Sequence, residues 1–97
     1  MKAFPTSPDF LRIARRVVWF EPPETALSEP VRFMAYAMAH ALPEDMAVIL
    51  DHVGQVGLRE AVENAPPGII DARSWAYWNL MADIEPALPM PLRHLPD

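Results

Sequence analysis

The chain contains no cysteine, which excludes disulfide bridges, thiolate zinc sites and thiol nucleophiles together. Glycine is nearly as scarce: three in 97 residues are too few and too scattered to build the phosphate-cradling loops of Walker or dinucleotide-binding motifs. No hydrophobic run approaches the ~20 residues that span a bilayer. The opening stretch, Met-Lys-Ala-Phe-Pro-Thr-Ser-Pro, lacks the apolar segment of a signal peptide. A soluble, cytoplasmic protein is expected. Basic residues are outnumbered, 8 against 13 acidic, for a net charge of −5. Nucleic-acid binders normally show the opposite balance, because neutralising phosphates supplies much of their affinity. Strand-like alternation and internal repeats are missing as well.

Proline is what the chain has in excess. Twelve prolines against three glycines mean connections built from stiff residues, which lose little conformational freedom on folding where their geometry fits. A hydrophobic content of 52% suits one small globular domain with a single core.

Proline, glycine and capping residues divide the sequence into five helical candidates and a tail. The first starts after Thr6-Ser7 with Pro8 in its first turn, placing Phe10, Ile13, Ala14 and Val17 on one face and Arg12, Arg15 and Arg16 on another. Trp19 and Phe20 lie at its end, and Glu21-Pro22-Pro23-Glu24 is expected to break any helix. Ser28 is expected to cap the second helix, with Val31, Met34, Ala35, Met38, Ala41 and Leu42 as its apolar stripe. Pro43 ends that helix and opens a third, with Glu44 and Asp45 suited to the dipole of its first turn. Its stripe is Met46, Ile49, Leu50 and Val53, and Gly54 is its expected stop. A short fourth helix carries Leu58, Ala61, Val62 and Ala65 and ends at Pro66.

After Pro66-Pro67-Gly68, Asp71 caps the fifth helix. Trp75, Trp78 and Ala82 share one side, while Tyr77, Leu80, Met81 and Ile84 cover much of the other. Such a helix is either central to the bundle or covered on one side by something else. From Glu85 the prolines at 86, 89, 91 and 96 favour an extended, polyproline-like segment. The expected architecture is all-α: a compact bundle of about five short helices over residues 1–84, with an extended proline-rich tail over 85–97.

Little in the sequence points to catalysis. His40, His52 and His94 include no pair at metal-ligand spacing, and Asp51 beside His52 points to a different side of a helix. No metal and no cofactor are expected. Glu44-Asp45 reads as helix electrostatics and Glu60/Glu63 as a solvated face, while Ser7, Ser28 and Ser74 stand near helix starts rather than in a nucleophile elbow. The chain is not expected to be an enzyme.

Three features suit an interaction. The face of Arg12, Arg15 and Arg16 reads either as a solvated face balancing the acidic surplus or as a contact for an acidic partner or phosphates. The aromatics Trp19, Trp75, Tyr77 and Trp78 read either as core or as interface anchors, since Trp, Tyr and Arg are enriched at binding hot spots. The tail, with Leu88, Met90, Leu92 and Leu95, needs an apolar surface on its own domain or elsewhere. The candidate partner-binding set is Arg12, Arg15, Arg16, Trp75, Tyr77, Trp78, Leu88, Met90 and Leu92.

Six segments also carry a resemblance: Val18-Trp19-Phe20, Pro30-x-x-Phe33-x-Ala35-Tyr36-x-Met38, Pro43-Glu44-Asp45, Leu58-Arg59-Glu60-Ala61, Ala65-Pro66-Pro67-Gly68 and Ser74-Trp75-Ala76-Tyr77-Trp78-Asn79. Over roughly residues 18–80 the chain resembles a family of small bacterial helical proteins similar to the antitoxin-side partners of abortive-infection-type nucleotidyltransferase toxins. In that pattern a Leu-Gly turn often follows the tryptophans, whereas this chain has Leu80-Met81-Ala82-Asp83. The resemblance implies a non-enzymatic protein-interaction module that binds and restrains such a toxin. The alternative expectation is a small nucleic-acid-associated regulator using the Arg12/Arg15/Arg16 face.

Overall fold

Four of the five helices in the described residues begin at a proline. Those residues are 1–92 of the computed structural model, so His94 and Leu95 lie outside them. The helices are α1 (Pro8–Val17), α2 (Pro23–Ser28), α3 (Pro30–His40), α4 (Pro43–Glu63) and α5 (Ala72–Met81), and no strand accompanies them. The first N–H groups of a helix have no intrahelical partner, so a proline there sacrifices nothing, and its fixed φ is already helical. None of α1–α4 has a side-chain cap.

The expected break before α2 is present, since residues 18–22 are not helical, but the same rule adds a short helix after it that is not among the candidates read from the sequence. Pro22 is extended (φ −59°, ψ 137°), as a residue before proline prefers, and Pro23 starts α2. Ser28 ends α2 instead of capping the next helix: its hydroxyl donates to the Thr25 carbonyl at 2.6 Å, and α3 starts at Pro30 after an uncapped Glu29. The third and fourth candidates follow one another with no loop between them and are labelled together as α4. Gly54 (φ 70°, ψ −177°) is the expected stop, since it leaves the helical region and separates the two halves of α4 across a kink, a conformation open to glycine because it has no Cβ. Past the kink Gly57 lies so close to Val53 that a Cβ there would stand 2.6 Å from the valine Cβ.

Helix α3 is the hub and touches each of the other four. Phe33, Met34, Ala35, Ala37 and Met38 are all buried, an apolar distribution wide enough to face several neighbours. Around it α1 contributes its expected face of Phe10, Ile13, Ala14 and Val17, and α4 contributes Met46, Ile49, Leu58, Ala61 and Val62. Phe4, ahead of any helix, is also core. Its ring lies 4.8 Å from that of Phe33 and 5.3 Å from that of Phe10, and its N–H donates to the Leu27 carbonyl. The radius of gyration, 13.0 Å, is that of a compact domain of about this length. No helix among the described residues is long and apolar enough to cross a membrane.

Helix α5 is capped at both ends. The Asp71 carboxylate accepts the Ser74 N–H at 2.7 Å. At the other end Ile84 N–H donates to the Asn79 carbonyl and Asp83 N–H to that of Leu80. This is the Schellman pattern, with Asp83 (φ 60°) in the left-handed position usually given to glycine. The Ser74 backbone hydrogen bond, chiefly, holds the Asp71 pKa below its ordinary value, with nearby Arg73 adding to it. A depressed carboxyl pKa adds stability that is complete above the unfolded value and lost as pH falls through the folded one. The melting temperature is therefore expected to drop on acidification below about pH 4. Asp71→Asn, which keeps a capping oxygen, should show a shallower drop. Parallel melting curves for the two proteins across that range would remove the cap from the acid response.

Candidate interaction surfaces

Among the described residues, two clusters of exposed apolar side chains remain once the core is assembled. The first forms where α1 stops. Val18 is fully buried, which anchors the chain as it leaves the helix and turns Trp19 and Phe20 outward, 69% and 53% exposed. Trp19 meets Phe20 edge-on (5.3 Å, 85°), and Phe20 meets Tyr36 of α3 (5.4 Å, 65°). Tyr36 and His40, also on α3, lie 6.4 Å apart, and His40 lies 6.5 Å from Trp19, closing a ring of four aromatic groups. Glu21, next in the chain, pairs with Arg32 of α3 at 2.5 Å and fastens the turn beneath the platform.

The arginine face divides at this point. Arg12 reaches the buried carboxylate of Asp45 at the start of α4 (3.0 Å) and Asp9 at 4.0 Å. Hydrogen bonding and attraction to Asp45 raise its pKa above the ordinary arginine value. Arg12 thus clamps α1 to α4, and Asp45, expected to act on the helix dipole, is a buried ion-pair partner as well. Arg15 and Arg16 are exposed and make no ion pair among the described residues. They stand one helical turn before Trp19 and Phe20.

The second surface is the outer side of α5. Trp75 and Trp78 face inward, 5% and 8% exposed, while Tyr77, Leu80 and Met81 are 51%, 66% and 43% exposed. Both indole N–H groups are used inside the molecule: Trp78 donates to the Met38 carbonyl at 2.9 Å and Trp75 to the Leu88 carbonyl at 2.7 Å. Of the three helix-five candidates only Tyr77 is presented to solvent. The helix is peripheral, with one buried face and one open apolar face.

The tail docks on α5 in cis through its described part, by way of Leu88. The Leu88 N–H donates to Asn79 Oδ1 at 2.9 Å, so the Leu88 peptide is held by both Asn79 and Trp75. Asn79 is fully buried, and its Nδ2 donates to the Trp75 carbonyl. Leu88 keeps 36% of its surface exposed, Met90 packs half-buried against the core, and Leu92 is 81% exposed.

Sequence reasoning singled out Trp19 but missed its partners Phe20 and Tyr36. The available signal was position: a Trp-Phe pair beyond the last helical turn and before two prolines has no helix face on which to bury. No group of acidic residues and histidines able to hold a metal occurs among the described residues. No protein-family model, curated protein or solved structure matches the chain.

Proposed function

We propose that this chain is a non-enzymatic protein-interaction module, an antitoxin-like subunit that binds and restrains a nucleotidyltransferase-type toxin. The observation that carries the interaction reading is the Trp19–Phe20–Tyr36–His40 platform, beside two arginines that no carboxylate of the described residues engages. Exposed tryptophan and phenylalanine held rigid against neighbouring rings lose little entropy on contact, and arginine adjoining them supplies charge complementarity to an acidic partner. The toxin as partner rests on the sequence resemblance. Leu92, 81% exposed, adds a point of a recognition arm in this reading. The net charge of −5 argues against nucleic acid as the first target.

Reading the neighbouring reading frames and co-expressing the nucleotidyltransferase expected among them tests the reading. The two proteins are expected to co-purify and to stay together as salt is raised. Trp19→Ala and the paired change Arg15→Glu with Arg16→Glu should each weaken the complex about tenfold or more, as hot-spot residues do. Melting should stay close to the parent in all of them, since these groups are exposed. A complex indifferent to these changes overturns the platform as the contact. Absence of a complex, with salt-sensitive RNA or DNA binding in its place, overturns the protein partner.

A further inference from the structure

The outer side of α5 is a ridge between two grooves. Ala76, Tyr77, Leu80 and Met81 form the ridge, all exposed. On one flank a groove of about 510 Å³ separates α5 from the first half of α4, lined by Met46, Leu50 and Trp78. On the other flank a groove of about 330 Å³ separates α5 from the docked tail, lined by Ile84, Pro86 and Ala87. A ridge beside a groove on one surface complements itself, because helix packing proceeds by ridges entering grooves.

The charges on this face have the same symmetry. Arg73 stands at the start of α5 and lines the larger groove, while Asp83 and Glu85 follow the helix end and are exposed. None of the three makes an ion pair among the described residues. Two α5 helices running antiparallel about an axis at position 78 bring Arg73 of one copy opposite Asp83 of the other. The same register sets the small Ala76 opposite Leu80, since each pair lies symmetrically about position 78. Opposite charges at equal distances from an apolar centre form two ion pairs in a two-fold interface, because every contact in it occurs twice.

We propose that this face joins two copies of the chain, in an antiparallel α5–α5 contact about a two-fold axis. The inference uses none of the residues of the Trp19 platform and stands whether or not the partner proposed above is the right one.

Sedimentation equilibrium of the full chain tests it, with circular dichroism melting to show that each variant folds. The parent is expected to pass from monomer to dimer as concentration rises, and Leu80→Glu to remain monomeric. Arg73→Glu and Asp83→Arg should each weaken association about tenfold or more, and the double variant carrying both reversals should regain most of the loss. Because Asp83 occupies a left-handed backbone position, Asp83→Asn, which tolerates that conformation, replaces the reversal if the Asp83→Arg variant melts early, and it should relieve part of the loss from Arg73→Glu. A parent that stays monomeric to its solubility limit overturns the proposal. So does a dimer insensitive to Leu80→Glu, or a double reversal no better than the single ones.

Discussion

Trp78→Ala is expected to destabilise the protein by about 3–5 kcal/mol, the range for truncating a buried aromatic. A domain of this length has about 5–15 kcal/mol in total, so the change removes a large share of it. The position explains the size of the effect. The ring is buried between α5 and the centre of the bundle, and its N–H meets the carbonyl of Met38. That carbonyl lies in the last turn of α3, where the helix itself supplies no donor. Trp78 therefore both fills space and closes the end of the hub helix from 40 residues away in sequence. Trp78→Phe separates the two contributions: it keeps most of the ring and forfeits one hydrogen bond, for about 1 kcal/mol plus a small packing loss. Urea unfolding measures both variants. A Trp78→Ala protein that unfolds like the parent would show that α5 is not seated on α3 as described.

The second large effect is expected at Asn79. Its amide is the polar centre of an otherwise apolar contact, accepting from Leu88 N–H and donating to the Trp75 carbonyl. Asn79→Ala strands a tail N–H and opens a small void, at about 2–4 kcal/mol. Ending the chain after Glu85 removes Leu88 and with it the partner of that amide. The loss from Asn79→Ala should then shrink by about 1–2 kcal/mol in the truncated background, as residues of one hydrogen-bond network behave. Hydrogen exchange provides a direct readout, because the Leu88 amide should be protected in the parent and exchange rapidly in Asn79→Ala. Fully additive losses, or an unprotected Leu88 amide in the parent, would mean that the tail is not held by this clip.

Both expectations depend on residues whose importance the sequence showed unevenly. Trp75 and Trp78 stood out by size and spacing, but their use as interface anchors or as core was open until α3 and the tail were seen to receive their N–H groups. Asn79 carried no signal, since an asparagine late in a helix reads as a solvated position. The same holds for Asp45: an acidic residue in a first turn satisfies the dipole rule whether exposed or buried, and Arg12, which buries it in an ion pair, comes from another helix. Phe4 escaped notice because it belongs to no periodic segment, and its place in the core depends on Phe10, Phe33 and Leu27.

What the sequence determined by itself was local. Proline at a first helical position, Asp71 as a cap and the three- and four-residue spacing of apolar groups on α1 and α4 act over a single turn of chain, so they are legible without neighbours. The absence of cysteine and the scarcity of glycine limited the chemistry in the same direct way. The tertiary structure decided which helix is central, how the two helical segments meet across the kink at Gly54, and which of the aromatics are spent inside. It also decided that the tail as far as Met90 lies on its own domain and that an apolar ridge on α5 stays open. The reason is physical: burial and polar pairing depend on what packs opposite, and in this fold the opposing groups, Met38 with Trp78 and Arg12 with Asp45, lie more than thirty residues apart in the chain.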